Sequence, residues 1–460
     1  MQSTYDAVVI GAGFGGAITA CRLAQAGQSV CVLERGKRWD KSEFPRSISQ
    51  VSKAFWRDHK NYGFLEYHVS KRMDVIQGCG VGGGSLHYFN VHLKALDAIF
   101  QQHEWPEKIT RQVMDPYYDM VKDMLDAEPL NPPLGMDLPP RTKAFLAAAK
   151  KGKREAKLLD IAVYTGEDRN NPHSGIPQSA CDYTGNCMLG CRVHAKNSLD
   201  LNYIPLAEAH GAQVFPLHMV KKIDQTSDQS YKVTFAHLSD EPGDSAPGSV
   251  IGKKVIVAAG TLGSNQLLLR CKNIYKTLPK LSAMLGKRFS GNGDFLLSAT
   301  LDADRVIDPS QGPSITAYMD CSTENNKIVI EDLGFPDPFL WLLEGVIPNK
   351  NRFINTLRIL KNYILGSFGV GHGSTRIEVE LERIFEGGHT SRLLPYLGMG
   401  TDAADGSLRL TKNGNIEIDW NHRKSKQMFR EMEEALKALS ADLNGRYKTK
   451  IGRASCRERV

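Results

Sequence analysis

The chain has 460 residues, with 58 Lys and Arg against 51 Asp and Glu for a formal net charge of +7, enough length for a large core or several domains. Its mild positive balance is spread along the sequence and points to no nucleic-acid partner. No apolar run reaches about eighteen residues, so no transmembrane segment is expected; the first predicted strand begins almost at once, leaving no room for a secretory leader, so a cytoplasmic location is expected.

The chain opens on Tyr5-Asp-Ala-Val-Val-Ile-Gly-Ala-Gly-Phe-Gly-Gly. Ala7–Ile10 reads as a buried parallel strand, Gly11, Gly13 and Gly16 as a tight turn, and Ala17–Ala26 as a helix. Gly11 bends the chain, Gly13 lets backbone approach a pyrophosphate, and Gly16 allows close packing of strand and helix. The free N–H groups and positive dipole end of that helix suit phosphates. A second strand ends at Glu34, placed to hydrogen-bond the ribose hydroxyls of an adenine nucleotide and to repel a phosphorylated ribose. The unit is a dinucleotide cradle, with FAD and NAD both open.

Next come an aromatic, basic stretch (Phe55-Trp56-Arg57) and a segment with five glycines between Gly78 and Gly84. So many glycines in one run serve a backbone that must lie against something flat, and the apolar flanks Val75-Ile76 and Leu86–Val91 mark the segment as buried. Residues 112–126 and 142–159 are predicted helices, joined by a Pro-rich link over 128–141 that reads as a domain junction; 164–180 reads as a loop. Cys181, Cys187 and Cys191 have spacing like that of iron–sulfur ligands, but Thr184 stands where a fourth thiol is needed. A packed thiol cluster is therefore favoured and no metal is expected. A helix ending at Ala209, strands at 214–223 and 231–238, and an exposed loop at 241–249 follow.

The run Lys254–Ala259 reads as another buried strand, leaving through Gly260-Thr261 into a helix over Ser264–Arg270. After Gly286–Asp294 the pattern changes to alternating strands at 295–303, 314–319 and 327–330, which predicts an antiparallel sheet and a second domain. Residues 339–343 and 354–365 read as core helices, with a lid over an apolar pocket as the alternative. A hairpin turning at Asn413-Gly414 and a helix over Ser425–Leu443 complete the pattern. The final residues 451–460 match the translation of a sequencing adapter and are expected to be an artefact, so that the natural C-terminus is expected to be missing.

In this order, Gly11–Gly16 with Glu34, Gly80-Val-Gly-Gly-Gly-Ser-Leu86, Ala195-Lys-Asn-Ser-Leu-Asp200, Ala258-Ala-Gly-Thr261 and Phe289–Asp294 resemble the glucose-methanol-choline (GMC) oxidoreductase family, in its cholesterol-oxidase-like branch. The resemblance implies an α/β chain, α+β overall: an FAD-binding doubly wound Rossmann-type domain with an inserted antiparallel-sheet substrate domain. The FAD domain is expected in parts 1–127 and 181–296, a linker and helical part of the substrate domain at 128–180, and the substrate domain at 297–450. The cofactor implied is FAD. By position Phe14, Glu34, Gly84, Tyr88 and Val220 fall on it, within glycine-rich segments that also supply Gly11, Gly13, Gly15, Gly16, Gly80, Gly83, Ser85 and Gly260. Tyr88 stands where the branch more often has Asn, and Asn90 is the nearby replacement. His87 occupies the point where some relatives attach the flavin covalently; a packed, hydrogen-bonded His is favoured over attachment.

The resemblance further implies a small-molecule alcohol as substrate, hydrophobic and at its narrowest a sterol, with oxygen or another electron acceptor; peripheral membrane contact stays open. The alternatives are a dehydrogenase that passes electrons to a quinone or protein, and a non-catalytic flavin-binding protein. The family's catalytic His belongs near the C-terminus, beyond residue 450, and none of His372, His389 and His422 has its context. No catalytic residue is assigned, and the chain as it stands is expected to be inactive.

Overall fold

The structure is a computed structural model and describes the chain except residues 59, 71–72, 103–104, 240–243, 302, 337–391 and 450–460. The apolar stretches at 339–365, His372, His389 and residues 451–460 therefore lie outside the described residues.

The first strand, Thr4–Ile10, lies between Val30–Leu33 and the long strand Ser245–Val257 and runs parallel to both. Gln213–Phe215 extends the parallel set beyond Val30–Leu33. On the other side Ser245–Val257 pairs antiparallel with Tyr231–Leu238, which pairs in turn with His218–Gln225, giving a six-stranded mixed sheet. Helices Phe14–Gln25 and Tyr203–Ala209 pack on one face through Ala17, Ala20, Cys21, Ile204 and Ala207. Helix Gly260–Leu269 covers the other through Leu267, with Cys271 just beyond it. Burial on both faces is why Ala7–Ile10 and Val30–Leu33 read as unbroken apolar runs.

The second sheet also has six strands, in the order 446–449, 295–301, 394–400, 328–332, 317–320, 156–158, all neighbours antiparallel. Helices Pro140–Lys151 and Lys426–Asp442 cover one face with Phe145, Met432, Leu436 and Leu439. The opposite face, with Ala299, Leu301, Leu333 and Leu397, packs toward Phe89, Val91, Val163 and Met188 from the segments around the cradle.

Several boundaries depart from expectation. The helix predicted to 159 stops at Lys151, because Gly152 and Lys153, the latter at φ +55°, turn the chain into the edge strand Ala156–Leu158. The single strand predicted over 214–223 is two strands, broken at Pro216-Leu217 with Leu217 at φ +58°. Of the exposed loop predicted over 241–249, residues 241–243 lie outside the described residues, and the part from Ser245 is strand, where pairing with Leu238 outweighs the local Pro and Gly content. The helix placed at 264 begins at Gly260, directly on leaving the sheet.

Candidate cofactor site

A cleft of about 590 Å³ runs from the turn after the first strand across to Asp294 in the second part of the chain, a volume typical of small-molecule and cofactor sites. Gly11 sits at φ +99°, and a Cβ there would lie 2.4 Å from the Ala258 carbonyl oxygen. A Cβ on Gly16 would lie 1.9 Å from the Gly11 oxygen, so this glycine serves packing and stands behind the cleft wall. The second glycine run packs directly on the first: a Cβ on Gly83, itself at φ +54°, would meet Gly13 Cα at 2.4 Å. Two backbones in contact thus form the floor, an approach that requires glycine at 83, whereas a Cβ on Gly13 would meet Gly83 Cα at an ordinary 3.7 Å.

Helix Phe14–Gln25 begins at this floor. Gly13 offers no side-chain cap and the first turn carries no acid. Its first N–H groups therefore remain available to an anion, where the helix dipole favours one.

Glu34 lines the cleft and is only 6% exposed. Its carboxylate already accepts three backbone N–H groups, from Ala12 and Gly36 at 2.9 Å each and from Gly80 at 3.2 Å. Burial pushes the carboxyl up, against the pull of those amides. Glu34 thereby ties both glycine runs to the end of the second strand, a structural duty that its position in the sequence did not disclose. The neighbouring Arg35 pairs with Glu66 and lies over the Trp56 ring at 5.2 Å.

At the opposite end the second glycine run closes in a single 3-10 turn, Gly83–Leu86, which delivers His87 to the cleft. Burial first, and the nearby Lys196 ammonium second, push the His87 imidazole down to about 4, so it is neutral near pH 7. Of the residues expected at the cofactor, Gly11, Gly13, Phe14, Gly15, Glu34, Gly83, Gly84, His87, Val220 and Gly260 line the cleft. Gly16, Gly80, Ser85, Tyr88 and Asn90 are not among its lining residues. The Ser85 hydroxyl donates to the Gly82 oxygen at 2.7 Å. The Tyr88 hydroxyl donates to the Asn197 oxygen at 2.9 Å, with its ring edge-on to Phe14 at 5.7 Å. Asn90 is fully buried at φ +70°, and both amide atoms lack a partner among the described residues.

Two acids went unremarked in the sequence. Asp294 lines the cleft and is itself exposed, while protein packed close by pushes its carboxyl up. Glu331 is fully buried, both its oxygens lack partners among the described residues, and desolvation with the nearby Asp332 pushes it up to about 8. The signal that could have found it is a pair of acids interrupting the apolar run Ile328–Leu333.

Cys181, Cys187 and Cys191 are free thiols bordering one small cavity; burial pushes Cys181 and Cys191 up. Among the described residues no group of three His, Cys, Asp or Glu is arranged to hold a metal ion, and no helix is long and apolar enough to cross a membrane. His422 is half-buried, its ring edge-on to Phe429 at 6.2 Å, and does not line the cleft.

The family model described as GMC oxidoreductase matches residues 5–272. Cholesterol oxidase of Mycobacterium tuberculosis (strain ATCC 25618 / H37Rv) is 31% identical over 333 residues, covering 69% of this chain and 56% of that protein. Cholesterol oxidase of Acinetobacter baumannii is 29% identical, covering 69% and 60%. The chain thus spans little more than half the length of these curated relatives. Pyridoxine 4-oxidase from Mesorbium loti superposes with a TM-score of 0.52 at 13% identity, over 96% of this chain and 80% of that one, a likeness of fold alone.

Proposed function

Because the chain belongs to the GMC oxidoreductase family, whose members are FAD-binding flavoproteins, we propose that it serves to oxidise the CH–OH group of an alcohol with FAD held in this cleft. The observation that carries the reading is the uncapped helix start at Gly13, set on two glycine runs in backbone contact along a cleft of about 590 Å³. The amides after Gly13 hold the pyrophosphate, the Glu34 and Val220 end takes the adenosine, and the Gly83–His87 turn lies against the ring system. Bound FAD supplies the hydride acceptor. His87, neutral at pH 7, presents an imidazole that accepts a hydrogen bond. In this reading Tyr88 and Asn90 shape the site from behind the Gly83–His87 turn, Tyr88 through its Asn197 bond.

The substrate we propose is a hydrophobic alcohol, with a sterol as the narrowest form. Support comes from the cholesterol oxidases it resembles at 29–31% identity.

Among the described cleft-lining residues the imidazoles are His87 and His218, and His218 lies beside Val220 at the adenosine end. The proposal is accordingly that the chain by itself takes FAD but turns alcohol over poorly. FAD titration followed by flavin fluorescence, then oxygen uptake with cholesterol and with a long-chain alcohol, tests both parts. Saturable FAD binding with little oxygen uptake is expected. NAD binding in place of FAD overturns the cofactor assignment, and full turnover overturns the missing base. A dye-linked assay that succeeds where oxygen uptake fails favours a dehydrogenase. Acid precipitation settles attachment: flavin colour that washes from the pellet is expected, and colour that stays marks a covalent bond at His87.

A further inference from the structure

Lys196 is 2% exposed, yet its ammonium donates to two main-chain carbonyls, Cys187 O at 2.6 Å and Leu86 O at 2.8 Å, rather than to a carboxylate. Both acceptors lie in short 3-10 turns, Asn186–Leu189 and Gly83–Leu86. A buried ammonium held by carbonyl dipoles and the Tyr88 ring face at 5.3 Å is costly to retain, so its place calls for a reason. The residues after it grip the same stretch of chain twice more: the Leu199 N–H donates to Ser85 Oγ at 3.0 Å, and the Tyr88 hydroxyl donates to Asn197 O at 2.9 Å. Residues 196–199 thus hold 85, 86 and 88 on either side of His87, which faces the cleft.

We propose that Lys196 is a positioning residue for the cofactor site, fixing the Gly83–His87 turn from the buried side and setting the electrostatic surroundings in which His87 meets the cleft, a role that rests on the FAD reading above. The first effect is mechanical. Without the ammonium, two buried carbonyls lose a charged donor, and the last residue of the turn loses its tether. The second is electrical, since a cation behind His87 discourages a second positive charge there and adds to burial in keeping the imidazole neutral. The charged and titratable groups around the clamp are Arg46, a second cation, Asp200, the thiols of Cys187 and Cys191, and the Tyr88 phenol, over whose ring the ammonium lies at 5.3 Å. Burial pulls Lys196 itself down to about 8, so its charge is available near neutrality and lost in mild alkali.

The test uses the whole chain with Lys196→Met and Lys196→Arg, the His87 ring resonance being assigned with His87→Gln. In the FAD-free protein, His87 is expected to stay unprotonated between about pH 5 and 8, to titrate at a higher pH in Lys196→Met, and to stay low in Lys196→Arg. FAD affinity, from fluorescence quenching, is expected to fall roughly tenfold or more in Lys196→Met. Should Lys196→Met fail to fold, the unaltered chain still reports: FAD affinity should weaken as pH rises through about 8. A folded Lys196→Met whose His87 midpoint stays put overturns the electrostatic role even if FAD affinity falls, and unchanged affinity overturns the clamp. An unaltered chain that takes up no FAD sinks the functional reading instead, while the His87 titration still decides the electrostatic role.

Discussion

Glu331 and Asp332 are adjacent acids on one strand with opposite surroundings. Asp332 faces the helices, where it accepts the Thr316 and Ala317 N–H groups at 2.8 and 2.7 Å and pairs with the fully buried Arg141 at 3.3 Å. Asp332→Ala should therefore cost about 3–5 kcal/mol in chemical denaturation, since it strands a buried guanidinium. Glu331, one residue earlier, has no partner at all for its oxygens among the described residues. Its folded carboxyl is raised to about 8 from 4.5, so it holds a proton in the native state across that window. Its contribution is complete below about pH 4.5 and is lost as pH rises through about 8. Glu331→Gln should flatten this decline, by up to a few kcal/mol at alkaline pH, in melts taken from about pH 5 to 9; an unchanged pH slope would show that the carboxyl is solvated. Neither role was legible in the sequence, because an acid's fate depends on which face the strand register gives it. The same holds for Glu34: its position marked a nucleotide site, but Gly80, one of its amide donors, comes from a segment no spacing rule connects to it.

At the scale of elements, the strands buried on both faces and the glycine turns were plain in the sequence, since runs such as Val30–Leu33 and positions such as Gly11 leave few alternatives. What stayed hidden was contact between elements. That Gly83 and Gly13 abut is a tertiary fact, and it makes a prediction. Gly83→Ala sets a methyl 2.4 Å from Gly13 Cα at φ +54° and should destabilise the chain by about 1–3 kcal/mol. FAD affinity should fall with it, whereas Gly27→Ala, at φ +75° with nothing within 4 Å, should leave FAD affinity unchanged. Equal FAD loss in both variants would contradict the shared floor. Strand ends such as Ser245 were missed for a related reason: pairing with Leu238 decides them, not the residues themselves.

For the molecule as a whole, the order of motifs was enough to place the chain in its family, while the second sheet's order was not, because its outermost strands come from residues 156–158 and 446–449. The cleft draws its walls from both parts of the chain, from Gly11 to Asp294, so FAD should stabilise the fold globally. At a free concentration about 100 times its dissociation constant the expected gain is ~2.7 kcal/mol, read as a rise in melting temperature. NAD at the same concentration should produce no comparable rise, and equal shifts would remove the cofactor assignment.

The central place of Thr4–Ile10 has a consequence for how this protein comes into being. Thr4 pairs with Ile251, a strand made almost 250 residues later. At roughly 5–20 residues per second, a ribosome needs about 12–50 s to produce that partner. Throughout synthesis the first strand can pair on one side only, its other edge bare and apolar. The cradle begins first and closes late, so the nascent chain is most in need of a chaperone until Ser245–Val257 has been made.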